Sequence, residues 1–140
     1  MASIEVIRSA DLESALSSEP RQYLMGSLNR PQALEHIRDG DIEVGMVDYP
    51  EAAADDPHEH PLVHECQLVL EGYVLLLNLD TGEEIALRKG DFYSVPSNVP
   101  HVQKARKGTR VFFFKVPGMN DKNLVAVDSK VEEWLAELDF

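Results

Sequence analysis

The 140-residue chain reads as a mainly β protein, a sandwich or barrel with a short helix at each end. Three observations predict this. Short runs rich in β-branched, aromatic and aliphatic residues recur through the middle of the chain. Turn signals carrying glycine, Glu71-Gly72, Asp80-Thr81-Gly82 and Lys89-Gly90-Asp91, separate several of them. Helical periodicity is confined to the two ends. Many short strands punctuated in this way build a sandwich or a barrel.

Taken in order, Leu12, Ala15 and Leu16 fall at helical spacing between Ser9 and Ser18, and Pro20 ends that helix. Residues 21–40 are undecided, punctuated by Pro31 and Gly40. From Ile42 to Tyr49 the pattern turns strand-like. A loop follows over Ala52–Pro57. Further strands are expected over Glu65–Leu70, Tyr73–Leu79, Glu84–Leu87, Phe92–Val95 and Arg110–Val116. In the last of these, Phe112, Phe113 and Phe114 in succession predict a strand buried on both faces, or an interface. Ser129 with Glu132 reads as a capping box. Val127, Val131, Trp134, Leu135 and Leu138 then share one helical face. A C-terminal helix over 129–138 is expected, packed outside the barrel or on a second subunit, with Trp134 as a packing residue. The organisation is an N-terminal extension (1–41), the barrel (42–117) and a C-terminal segment with its helix (118–140), one domain in all.

Acidic residues outnumber basic ones 25 to 13, a net charge of −12. That field repels phosphate backbones and anionic membranes, so neither nucleic acid nor membrane is expected as a partner. No apolar run approaches the roughly 20 residues needed to span a bilayer, and no secretory signal is visible. The single cysteine, Cys66, excludes an internal disulfide and fits a reducing compartment, so the expected location is cytoplasmic.

The chemistry lies in His58, His60, Glu65 and His101. On an extended segment His58 and His60 point the same way, and both can reach one ion. Glu65 lies beyond a short turn at the start of the next strand, and His101 must arrive from a third strand. Imidazole and carboxylate donors suit a divalent first-row ion: Fe, Mn, Ni, Co or Zn. Cys66, next to Glu65, faces away from them. An isolated His-x-His more often lies on a solvated surface. The second block, Gly90 with Pro96 and His101, is what raises the signal.

These two blocks resemble the two signature motifs of the cupin superfamily. In the first, His58, His60, Glu65 and Gly72 match, while Ala52 stands where the family has its opening glycine. In the second, Gly90, Pro96 and His101 match, Asn98 replaces a glycine and Ala105 replaces an asparagine. Asn tolerates positive φ, so Asn98 can still make the turn. The resemblance covers about residues 42–117. It implies a cupin-type barrel (a double-stranded β-helix or jelly roll) with one divalent transition metal per chain on those four residues. It also implies a homodimer and a small-molecule ligand or substrate.

Gln67 and Gln103, each two residues beyond a ligand position, are expected on the same inward face, holding substrate or orienting a ligand. Tyr49, Tyr73 and Tyr93 can each supply a phenol to the pocket. His64 is expected in a surface turn or at the rim, and His36 in an exposed segment. Two functions compete. One is a metal-dependent enzyme of the dioxygenase, isomerase, decarboxylase or lyase class, with the metal as Lewis acid or oxygen-activating centre. The other is a non-catalytic module binding a sugar or metabolite. A structural metal ranks last, since such sites are more often closed by cysteines. The general acid or base is not identifiable from sequence.

Overall fold

The computed structural model describes residues 3–140. The elements are α1 (Ser9–Ser18), β1 (Arg21–Gly26), β2 (Ile37–Arg38), β3 (Glu43–Tyr49), β4 (Ala53–Ala54), β5 (His58–Glu59), β6 (His64–Glu71), β7 (Tyr73–Asn78), β8 (Glu84–Arg88), β9 (Phe92–Val95), β10 (His101–Ala105), β11 (Thr109–Val116), β12 (Asn123–Leu124) and α2 (Ser129–Ala136). They form two sheets, ordered β2-β1-β3-β11-β6-β9 and β12-β5-β10-β7-β8, with β4 also pairing β10. This is the expected jelly-roll barrel with a helix at each end. No helix among the described residues is long and apolar enough to cross a membrane.

Alternation decides what enters the barrel. Along β3 every second residue from Glu43 to Tyr49 is buried, and β11 alternates in the same way from Thr109 to Lys115. Phe113 is therefore buried while Phe112 and Phe114 are only partly covered, so β11 is not fully buried on both faces. The inward set Val69, Val74, Leu76, Leu87, Val111 and Phe113 packs into the apolar core. Contact requires glycine at Gly45 and Gly72, as it does at Gly118. A Cβ on Gly45 would lie 2.3 Å from the Phe113 ring, and one on Gly72, at φ 90°, would lie 2.3 Å from Thr109 Oγ1. Gly72 makes the tight turn by which the chain passes from β6 in one sheet to β7 in the other.

The undecided stretch 21–40 contributes β1, which pairs with β3 and extends the sheet upstream of residue 42. Its pattern is hard to read because side chains stand in for backbone partners. Gln32 accepts from Tyr23 N at 2.8 Å and donates to Tyr23 O at 2.7 Å, as a neighbouring strand would. Fully buried Gln22 donates to Ala15 O and Glu19 O and accepts from Leu34 N, tying α1 to the sheet.

The C-terminal helix packs outside the barrel, with one correction at its start. Asp128, not Ser129, is the N-cap, accepting from Val131 N at 2.9 Å. The longer Asp side chain, one residue earlier, takes an orphan donor of the first turn. The helix is held at its other end by Lys104 of β10. This lysine is 2% exposed, donates to Trp134 O at 2.7 Å and Glu137 O at 2.6 Å, and lies over the Trp134 ring. A lysine facing outward from a strand thus caps the C-terminus of a helix laid across it.

Lys104→Met is expected to lower stability by about 2 kcal/mol, the cost of two carbonyls losing a charged donor. Emission from Trp134 should move to the red as α2 loosens. An unchanged unfolding midpoint and spectrum would mean that apolar contacts alone hold the helix.

Candidate metal centre

The inward side chains change character along the strands. On β6 they run Val69, Gln67, Glu65, on β10 Ala105, Gln103, His101, and on β11 Val111, Phe113, Lys115. Register aligns these series: Phe113 lies opposite Gln67, and Lys115 opposite Glu65. One end of the barrel is therefore hydrocarbon and the other polar. A cavity of about 580 Å³ opens at the polar end, lined by His58, His60, Glu65, His101, Gln67 and Gln103 among others.

Single ligand atoms from His58, His60 and Glu65 all lie within 4.8 Å of one another. His101 flanks this trio. It pairs directly with His58 between β10 and β5, and its ring centroid lies 4.5 Å from that of His58 and 6.4 Å from that of His60. All four side chains are buried.

The decisive geometry is at the Nδ1 atoms. His58 Nδ1 lies 2.6 Å from Asp56 O, His101 Nδ1 lies 2.8 Å from Val99 O, and His60 Nδ1 lies 2.7 Å from Asp121 Oδ1. Each partner is an oxygen that only accepts, so each Nδ1 carries the proton. In the neutral ring Nε2 then bears the lone pair, which is the tautomer a metal requires. His60 Nε2 stands 3.1 Å from Glu65 Oε2, and the other Glu65 oxygen accepts from Gln67 Nε2 at 2.9 Å. A lone pair facing a carboxylate is repulsive unless a positive charge joins them. Without a metal that charge is a second proton on His60, and a divalent ion would take over its role. The donor set therefore fits a first-row divalent metal.

The titration behaviour follows from burial and these partners. Burial holds His58 down to about 4, with the Asp56 carbonyl opposing. Burial also lowers His101. For His60 burial disfavours the charge, but the hydrogen bonds to Glu65 and Asp121 outweigh it and raise the pKa. Burial alone would raise Glu65, yet His60 and Lys115 bring it down to about 2.

Below the ligand atoms lies a belt of amides and phenols. Tyr93 OH meets the side-chain carbonyls of both Gln67 and Gln103, the latter at 2.6 Å. Gln103 Nε2 donates to Tyr49 OH at 3.3 Å, and Tyr49 OH in turn donates to the Asp55 carboxylate at 3.2 Å. Burial raises the pKa of both phenols, keeping them neutral. Gln67, Gln103, Tyr49 and Tyr93 are thus brought together as anticipated. Tyr73 is not. Its neighbour Val74 faces the core, so alternation turns Tyr73 outward, where its ring lies against Arg106 and Arg88. His64 is exposed and bonds Ser94, while His36 lies partly buried and apart from the centre. Asn98 makes its turn at φ 63° and donates to His60 O at 2.8 Å.

Sequence reasoning missed Asp121. It lies 61 residues beyond His60 in a loop after β11, and also accepts from Leu62 N at 2.7 Å and Val63 N at 3.0 Å. Nothing local marks it. It missed Lys115 and Arg21 as cavity residues too. Lys115 was within reach, since it continues the inward series of Val111 and Phe113.

Residues 45–115 match the family model described as Cupin domain. Over 66 residues the chain is 32% identical to germin-like protein subfamily 2 member 1 of Arabidopsis thaliana, covering 45% of this chain. It spans 30% of that relative's length. Among solved structures, KdgF from Halomonas sp. superposes with a TM-score of 0.56 at 20% identity, covering 72% of this chain and 80% of the other. DMSP lyase DddQ from Ruegeria pomeroyi DSS-3 gives 0.56 at 19%, covering 76% and 50%. The Streptomyces nucleoside dehydratase Pac13, with uridine, gives 0.55 at 17%, covering 67% and 76%. At these identities the structural matches speak for the fold.

Asp121→Ala frees His60 Nδ1 and should raise the metal dissociation constant about 10- to 100-fold, read by competition with a chromophoric chelator. Unchanged affinity would remove Asp121 from the assembly. In the metal-free protein His58 titrates at about 4 instead of 6.5, so between those values the native state binds fewer protons than the unfolded chain. Its burial therefore costs stability increasingly as pH falls from 6.5 to 4 and adds no further loss below. Calorimetric unfolding of metal-free wild type and His58→Gln across this range should show the variant gaining relative stability on acidification. Parallel curves would contradict the assignment.

Proposed function

The chain belongs to the cupin family, and we propose that it is a divalent-metal-dependent enzyme acting on a small molecule. The proposed ligands are His58, His60, Glu65 and His101. The observation that carries this reading is the triple Nδ1 anchoring, which leaves the lone pair on Nε2 in three imidazoles that line one cavity with the Glu65 carboxylate. A surface His-x-His would have no reason to fix every tautomer. A purely structural centre would not need an adjoining cavity of about 580 Å³, room for a small substrate.

A divalent ion here would supply Lewis acidity toward a carbonyl or carboxylate or, if iron, a centre for oxygen chemistry. The chain's own residues divide the remaining work. Asp56, Val99 and Asp121 orient the imidazoles, and Gln67 holds one oxygen of Glu65 so that the other faces His60. Tyr49 with Asp55 presents exchangeable protons at the cavity wall, and burial raises the Asp55 carboxyl. The same barrel architecture carries a DMSP lyase and a nucleoside dehydratase among its neighbours, so it accommodates small-molecule chemistry. The proposal extends to a homodimer, in keeping with the family, and to a cytoplasmic location, in keeping with the free thiol of Cys66.

Elemental analysis of protein purified without a metal-affinity tag should find close to one ion per chain. His58→Ala and His101→Ala should each lose most of it with the barrel still folded by circular dichroism, while His36→Ala keeps it. Full metal retention in both ligand variants would end the proposal. Iron would direct the search to oxygen uptake with candidate small molecules. Manganese, nickel, cobalt or zinc would direct it to isomerisation, decarboxylation and elimination. Tight binding with no turnover would leave a ligand-binding module.

A further inference from the structure

Two cations in the cavity hydrogen-bond to none of the groups described so far, although Lys115 acts on Glu65 through space. Lys115 on β11 is 8% exposed, and Arg21 on β1 is partly buried. Both line the cavity. Both flank one ring, with Arg21 Cζ 5.2 Å and Lys115 Nζ 5.4 Å from the Phe113 centroid. Neither makes an ion pair or a side-chain hydrogen bond among the described residues. No buried side-chain nitrogen among the described residues lacks a partner, so both cationic heads reach the open space of the cavity, with a ring face beside them in place of a counter-ion.

The anionic groups facing them do not resolve the matter. Glu43 lies directly across from Lys115 on β3, and Glu65 directly across on β6. Asp55 and Glu65 act on Arg21 through space. Yet Glu65 is committed to His60 and Gln67, and Asp55 to Tyr49. Glu43 forms no ion pair with Lys115, although register brings the two strands' residues side by side. The ammonium stands off its neighbours and toward the open space.

Resting on the metal-enzyme reading, we infer that the substrate is a small carboxylic acid whose carboxylate is received by Lys115 and Arg21 beside the metal. Two donors of one sign, each beside the Phe113 ring and on strands that flank β3, suit an anion and reject a neutral or cationic head. Lys115 lies in register with the ligand Glu65, one strand spacing away (about 4.8 Å). A molecule of a few carbons would therefore reach from Lys115 to the ion. The inference deepens the proposed function by naming what the cavity takes.

The test is isothermal calorimetry with succinate and its neutral isostere succinamide, on zinc-loaded and on metal-free protein. Succinate should bind at least about tenfold more tightly than succinamide in both forms. Lys115→Met and Arg21→Met should each remove most of that preference, with zinc stoichiometry unchanged, and Lys115→Arg should restore it. If Lys115 served only to balance Glu43, the double variant Lys115→Met with Glu43→Gln would bind succinate like wild type; continued loss is expected. Equal binding of the two probes, or wild-type succinate binding in both methionine variants, would overturn the inference. Failure to take up zinc would instead strike the metal reading, while the preference in metal-free protein still judges the cation pair.

Discussion

The centre depends on a simple rule of hydrogen-bond accounting. Carbonyl and carboxylate oxygens cannot donate, so an imidazole nitrogen beside one must carry the proton. Asp56 O, Val99 O and Asp121 impose this on His58, His101 and His60 in turn. Once the outer nitrogens are protonated, the others hold lone pairs, and that of His60 faces Glu65. Two of these anchors are backbone carbonyls two residues before their histidine, so local chain geometry supplies them. The third needs a loop from elsewhere in the chain.

The amide and phenol belt makes this charged end compatible with a hydrocarbon core. Gln67, Gln103 and Tyr93 satisfy one another one layer below the ligands, and the apolar layer of Val69, Val111 and Val47 begins below them. No buried side-chain polar atom among the described residues lacks a partner. Polarity thus falls in steps along each strand. Such a gradient lets one set of strands both pack a core and open a binding site.

How much of this was legible in the sequence depended on how local each constraint is. Turn glycines and alternation marked most strands, and the spacing of His58, His60 and Glu65 marked the site, because each is settled within a few residues. Strand β10 was harder to read, since all five residues from His101 to Ala105 are buried, the outward Lys104 beneath a helix 30 residues away. Strand β1 was hidden by Gln22 and Gln32, whose amides replace backbone partners and break the period. Tyr73 was assigned to the right strand and the wrong face. Fixing the phase on Val74, which enters the core, corrects it. Asp121 had no signature because its meaning exists only in three dimensions.

Asp121 joins two otherwise separate features of the site. One carboxylate closes the turn at Leu62 and Val63 and sets the proton on His60, from a position encoded after the last long strand of the barrel. The proton on His60 is thus settled by a long-range contact, whereas those on His58 and His101 are settled within two residues. A change in the loop that carries Asp121 would therefore disturb one imidazole of the three and leave the other two anchored.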